Sequence, residues 1–114
     1  MKCGVDIVSI NRIQDICSRQ NFLTRCFTED EICYFDSKSD PSPSIAANFA
    51  AKEAFAKAMG TGVRGFNLRD IAVLRDELGA PYFVFGGSVA PSGEVKVSLS
   101  HDGGLAIAFV IMEE

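Results

Sequence analysis

The stretch Ser44-Ile45-Ala46-Ala47-Asn48-Phe49-Ala50-Ala51-Lys52-Glu53-Ala54-Phe55-Ala56-Lys57-Ala58-Met59, closed by Gly60, decides the fold. Strong helix formers fill it, and Gly60 ends it as a residue free to turn left-handed. Residues 45–59 contain seven alanines and only four polar side chains. At about 100° per residue, Ala47, Ala51, Ala54 and Ala58 form one narrow stripe, where a second backbone can approach closely. Asn48 and Lys52 fall to one side, and Glu53 and Lys57 lie about 140° away. A helix so nearly enclosed requires particular partners for its few polar groups.

On the N-terminal side, residues 3–10 (Cys3-Gly4-Val5-Asp6-Ile7-Val8-Ser9-Ile10) are rich in β-branched residues and read as a strand. Alternation sets Cys3, Val5 and Ile7 on one face and Asp6 with Val8 and Ile10 on the other. Asn11 can cap a helix running to about Arg19. Thr28-Glu29-Asp30-Glu31 fits a capping box opening a helix to about Asp36. Residues 37–44, with two prolines and four serines, read as a loop.

Beyond Gly60-Thr61-Gly62 the period changes to that of strands. Residues 71–76 and 81–85 flank the turn Glu77-Leu78-Gly79-Ala80, and Pro91-Ser92-Gly93 is another turn. Val95, Val97 and Leu99 alternate with Lys96, Ser98 and Ser100, as in a half-buried strand. His101-Asp102-Gly103-Gly104 turns into a last apolar strand, Leu105 to Met112. The expected class is α+β: one domain over 1–114, with an N-terminal strand, helices including the Ala-rich one, and a small antiparallel β-meander.

Charge and composition narrow the function. The 114 residues are 47% hydrophobic and 23% charged, which suits a globular chain and argues against disorder. A net charge of −4 disfavours nucleic-acid binding. No apolar run approaches a membrane span, and the start shows no signal-peptide core, so a cytoplasmic protein is the expectation. Four cysteines without a C-x-x-C pair, beside one histidine, give little support for zinc and read as small buried hydrophobes in a reducing compartment. Arg12, Arg19 and Arg25 form a basic stretch near the start, open to two readings: a solvated face, or a surface for an acidic partner.

Four ionisable positions stand in apolar or turn-like surroundings: Asp6, Glu53, Lys57 and His101. Singly each has a plain structural reading. Glu53 and Lys57 suit an i, i+4 helix pair, Asp6 could pair with Arg12, and His101 could bond to backbone. Together they suit a phosphate site. Mg²⁺ is typically held by one or two carboxylates, waters and substrate phosphates, and Asp6 and Glu53 could supply those carboxylates. Lys57 and His101 would then face the phosphates. Such a set fits attack at phosphorus, where catalysis is mostly positioning and charge neutralisation.

Gly4-Val5-Asp6-Ile7-Val8 with Arg12-Ile13, Phe27-Thr28 with Glu31, and Phe49-Ala50-Ala51-Lys52-Glu53-Ala54-Phe55-Ala56-Lys57-Ala58 running into Gly60-Thr61-Gly62 follow in order. Gly79-Ala80-Pro81 and Val97-Ser98-Leu99-Ser100-His101 complete the series. In these motifs the sequence resembles the holo-acyl-carrier-protein synthase family of phosphopantetheinyl transferases along nearly its whole length.

The resemblance implies transfer of 4′-phosphopantetheine from coenzyme A to a serine of apo-acyl carrier protein, in support of fatty acid biosynthesis. Asp6 and Glu53 would bind Mg²⁺ and, with Lys57, form the catalytic set. The serine, deprotonated by a metal-associated or carboxylate-held water, would attack the β-phosphate, and adenosine 3′,5′-bisphosphate would leave. Lys57, Ser100, His101 and Asn48 would contact coenzyme A, with Gly79 and Pro81 against its adenine. Arg12 and Arg19 would dock the acidic carrier. The resemblance also implies a homotrimer with active sites between subunits.

Two departures stand against the family pattern. Asn48 occupies a position where the family commonly has Arg or Lys, so the expectation is one weakened phosphate contact. The connection from Phe85 to Val95 is short, where relatives often carry a longer helical segment. They motivate one competing reading, a coenzyme A-binding module without transfer. The early arginines motivate another, a non-catalytic trimeric carrier binder.

Overall fold

The computed structural model describes residues 1–19 and 21–113, with side chains given for all of these except positions 63 and 64. Strand β1 (Lys2–Ser9) leads into helices α1 (Ile10–Cys17), α2 (Phe22–Cys26), α3 (Glu29–Asp36) and α4 (Ser42–Met59). Two 3-10 turns, Gly62–Gly65 and Leu68–Asp70, precede strands β2 (Ile71–Arg75), β3 (Pro81–Phe85), β4 (Val95–Asp102) and β5 (Leu105–Met112).

Local chemistry explains most boundaries. Ser9, rather than the expected Asn11, caps α1: its hydroxyl accepts the Arg12 N–H at 3.2 Å. The Thr28–Glu31 capping box forms as the sequence predicts, with both reciprocal bonds present. Helix α4 begins two residues before the expected Ser44, with Pro43 in its first turn where a missing N–H costs nothing. It ends at Gly60, whose φ of 79° lies in the left-handed region. The short helix α2 is additional to the sequence expectation.

The strands do not form one meander. Sheet order is β1-β5-β4, all antiparallel, while β2 and β3 form a separate antiparallel pair. The N-terminal strand thus pairs with the C-terminal one, from Lys2 opposite Met112 to Ser9 opposite Leu105.

Helix α4 lies across this sheet, and the alanine stripe meets β1 there. A Cβ added at Gly4 would collide with the Ala54 carbonyl oxygen and stand 2.9 Å from the Ala58 nitrogen. Small residues on both elements therefore set their spacing. Ala106, Ala108 and Val110 of β5 fill the same layer, all fully buried. A second core region joins Phe22, Phe27 and Phe35 edge to edge, and a third clusters Phe55 with Phe66, Phe83 and Phe85. No helix among the described residues is long and apolar enough to cross a membrane.

Candidate active site

The four polar side chains of α4 part into two pairs, as their helical angles require. Asn48 and Lys52 turn inward and are fully buried. The Lys52 ammonium lies 2.6 Å from Glu31 Oε1 and donates to the carbonyls of Cys26 and Leu68 at 2.7 and 3.0 Å. Burial draws this amine below its ordinary pKa, and the Glu31 charge and hydrogen bond oppose the shift. Asn48 Nδ2 donates to Glu31 Oε2 and to the Val73 carbonyl, each at 3.0 Å. Its Oδ1 accepts from Arg75 Nη2 at 2.8 Å. Glu31 therefore caps α3 and anchors α4 at once.

The expectation that Asn48 itself meets coenzyme A is corrected by this geometry. The residue has no exposed surface, and its amide is committed within the protein.

The second pair faces β1. Lys57 Nζ lies 3.1 Å from Asp6 Oδ1 and donates to the Val5 carbonyl at 2.9 Å. Asp6 thus pairs with Lys57, neither with Arg12 nor left alone. Glu53, one turn earlier on α4, is partly buried, and no ion pair or hydrogen bond among the described residues satisfies its carboxylate. Burial, and then the Asp6 carboxylate, hold the Glu53 carboxyl above its ordinary pKa; Lys57 and Arg12 pull it down. Asp6, Glu53, Lys57 and Arg12 are therefore electrostatic neighbours, gathered from a strand and two helices.

Two half-buried carboxylates brought together, one without a donor among the described residues, fit the donor set of a hard divalent cation that keeps waters and phosphates as its other ligands. Among the described residues no group of three or more His, Cys, Asp or Glu side chains could hold a metal. A cation held by the two carboxylates would take its remaining ligands from water and phosphate.

The outer face of the sheet beside Asp6 is apolar. Val5 and Ile7 on β1 stand opposite Phe109 and Ile107 on β5, and all four are exposed, Ile7 by 57%. Val5, Asp6, Ile7, Lys57 and Ile107 line a cavity of about 320 Å³ there.

Gly79, Pro81, Ser100 and His101 gather elsewhere, around a cleft of about 290 Å³ that Ala47, Tyr34, Lys38 and Arg75 also line. Its turn is rigid: Asp76 Oδ1 accepts from the Leu78 and Ala80 N–H groups at 2.9 Å, while Gly79 takes a φ of 89°. Ala47 precedes Glu53 and Lys57 by six and ten residues, about 9 and 15 Å along the helix. Within one chain the site residues expected from sequence thus form two separate groups. Arg12 is exposed near Glu53, and Arg19 is exposed just past the end of α1. The described residues include four free cysteines, but Cys3 and Cys33 are exposed rather than buried as expected.

Residues 2–110 match the 4′-phosphopantetheinyl transferase superfamily. The chain belongs to this superfamily. Among its relatives, the holo-[acyl-carrier-protein] synthase of Clostridium perfringens strain ATCC 13124 is 45% identical over 96% of this chain and 91% of its own length. That of Clostridium beijerinckii is 46% identical over 96% and 94%. The crystal structure of the Bacillus anthracis holo-(acyl-carrier-protein) synthase in complex with CoA (3′,5′-ADP) superposes with a TM-score of 0.88, at 32% identity over 97% of this chain and 94% of that one. The Helicobacter pylori synthase in complex with coenzyme A gives 0.82 at 33% identity, over 97% and 99%. The transferase superfamily assignment and the α+β architecture agree with the sequence reading.

Proposed function

We propose that this transferase moves 4′-phosphopantetheine from coenzyme A to the serine of an apo-acyl carrier protein, releasing adenosine 3′,5′-bisphosphate. The observation that carries the reading is the Asp6–Glu53 pair, with Lys57 on Asp6 and, among the described residues, no donor on Glu53. Asp6 and Glu53 would hold Mg²⁺, which when bound would neutralise charge building on the pyrophosphate.

The serine oxygen forms its bond to the β-phosphorus as the bond from that phosphorus to the bridging oxygen breaks. The serine proton passes to water held at the carboxylates. Lys57 orients Asp6 through its 3.1 Å contact and offers its charge to the departing phosphate. Its two acceptors, Asp6 and the Val5 carbonyl, hold the ammonium beside the carboxylates, which supports that role.

The cleft beneath His101 suits the adenosine end of coenzyme A, with backbone of the Gly79–Pro81 turn beside the ring and Ser100 and His101 toward phosphate. Its separation from Asp6 and Glu53 supports a homotrimer in which one subunit supplies the carboxylates and a neighbour the cleft. The exposed Val5, Ile7, Ile107 and Phe109 would be covered in that assembly. Exposed Arg12 and Arg19 suit an acidic carrier surface, Arg12 next to the reacting groups. A place in fatty acid biosynthesis and in the cytoplasm belongs to the same reading.

The test incubates the protein with apo-acyl carrier protein, coenzyme A and Mg²⁺ and measures the carrier's mass. A phosphopantetheine gain is expected, lost in Asp6→Ala and Glu53→Ala variants that remain folded. Near-normal turnover in either variant would sink the carboxylate assignment. Retained coenzyme A binding without any gain on a competent carrier would favour the binding-module reading.

A further inference from the structure

Asn48 lacks the charge that the family pattern sets at its position, yet the fold brings a cation to it. Arg75 Nη2 donates to Asn48 Oδ1 at 2.8 Å, and its Cζ lies 5.1 Å from the centre of the Tyr34 ring. We infer that Arg75 is the principal phosphate-binding cation of the His101 cleft, and that Asn48 acts through it as a positioning residue. This deepens the coenzyme A reading above and rests on it.

The buried network fixes the direction of the contact. Asn48 Nδ2 is committed to two acceptors, Glu31 Oε2 and the Val73 carbonyl. A flipped amide would set its oxygen against both of them, so Oδ1 must point at Arg75. Lys52 in turn holds Glu31 in place at 2.6 Å. The core thereby aims a guanidinium at the cleft instead of supplying one from α4.

The guanidinium is well held but not neutralised. No ion pair engages Arg75 among the described residues, and its hydrogen bonds there go to Asn48 Oδ1 and, at 3.5 Å, to the Val73 carbonyl. The remaining N–H groups have no acceptor among the described residues. Lys38 approaches the same Tyr34 ring at 5.0 Å, and His101 lines the cleft. Among the described residues no carboxylate lines it. An arrangement of basic groups around an uncommitted fork is a receptor for a phosphate monoester.

Coenzyme A carries one such group, the 3′-phosphate of its ribose, beside the adenine that the Gly79–Pro81 turn would meet. Its pyrophosphate is assigned to the Asp6–Glu53 group, which is separate from this cleft. The monoester is therefore the phosphate left for Arg75.

Isothermal titration with coenzyme A and with 3′-dephospho-coenzyme A tests the assignment on wild type, Arg75→Met and Arg75→Lys. Loss of one charge-assisted fork corresponds to about a tenfold to hundredfold weaker coenzyme A affinity in Arg75→Met. The 3′-dephospho form should change less than about twofold on the same reasoning. Arg75→Lys should fall between, because it keeps the charge and loses the fork.

Positioning is read from Asn48→Ala and from Tyr34→Leu, the latter leaving the buried network intact. In each, the preference for coenzyme A over its 3′-dephospho form should shrink, with KM for coenzyme A raised and kcat little changed. An unchanged preference in Arg75→Met overturns the role of Arg75, and in folded Tyr34→Leu and Asn48→Ala it overturns positioning. Failure of wild type to bind either ligand would overturn this inference together with the coenzyme A reading, a distinguishable result.

Discussion

Gly4→Ala joins the fold and the site in one methyl group. Its Cβ would collide with the Ala54 carbonyl oxygen and lie 2.9 Å from the Ala58 nitrogen, both backbone atoms that no side-chain rotation can move aside. Restoring ordinary contact requires β1 and α4 to separate by roughly 1 Å. Overpacking a close core contact of this kind costs about 1–3 kcal/mol, and two backbone obstacles place the estimate near the upper end. For a domain of this size that lowers Tm by roughly 10 °C. The same separation moves Asp6, two residues along β1, away from Glu53 and Lys57 on α4. A misplacement of about 1 Å can cost roughly a hundredfold in rate, so transfer should fall about that far in protein that is still folded. Urea titrations at matched protein concentration, with the carrier mass assay below the transition, measure both effects. Wild-type stability and turnover in Gly4→Ala would refute the claim that the glycine–alanine contact sets the carboxylate geometry.

Other changes probe other parts of the account. Glu53→Gln should abolish transfer yet slightly stabilise the metal-free protein at neutral pH. The Glu53 carboxyl is held above its ordinary pKa, so the native state binds more protons than the unfolded one between that ordinary value, about 4.5, and the raised one. Stability contributed by this group is thus present at low pH and lost as pH rises through that window, and Glu53→Gln should flatten the slope in urea titrations. Lys52→Met should destabilise by about 3–5 kcal/mol, because it strands the buried Glu31 carboxylate; Lys52→Met with Glu31→Leu should recover part of that loss in the same titration. Ile7→Glu, on the exposed face opposite Ile107, should break the proposed trimer into monomers by light scattering while retaining helical circular dichroism, and should lose transfer if the active site spans subunits.

The Ala-rich helix was legible because small side chains recur at helical spacing, and its tight contact with Gly4 is their structural consequence. The angular division of its four polar residues was legible too, and Asp6, Glu53 and Lys57 do come together. Their partners were less so. The i, i+4 spacing suggested Glu53 for Lys57, but the strand lies closer to the ammonium than the neighbouring turn of helix does. Pairing of β1 with β5 joins the two ends of the chain, and no local pattern encodes such a contact. Arg75 was missed as a site residue, although a signal existed. Ile71, Val73 and Arg75 alternate onto one strand face, and the first two are fully buried, so the third also points toward the α4 side. Asn48 misled because its missing charge was considered without the residue that fills the space.

The central claim is transfer through the Asp6–Glu53 pair, and one single-turnover measurement addresses it directly. Wild type and Glu53→Gln are each mixed with coenzyme A and apo-acyl carrier protein, with Mg²⁺ or with excess chelator, and carrier mass is followed alongside released adenosine 3′,5′-bisphosphate. Equal amounts of modified carrier and released bisphosphate are expected for wild type with Mg²⁺, and neither with chelator or with folded Glu53→Gln. Undiminished transfer by Glu53→Gln, or by wild type without the cation, would contradict it.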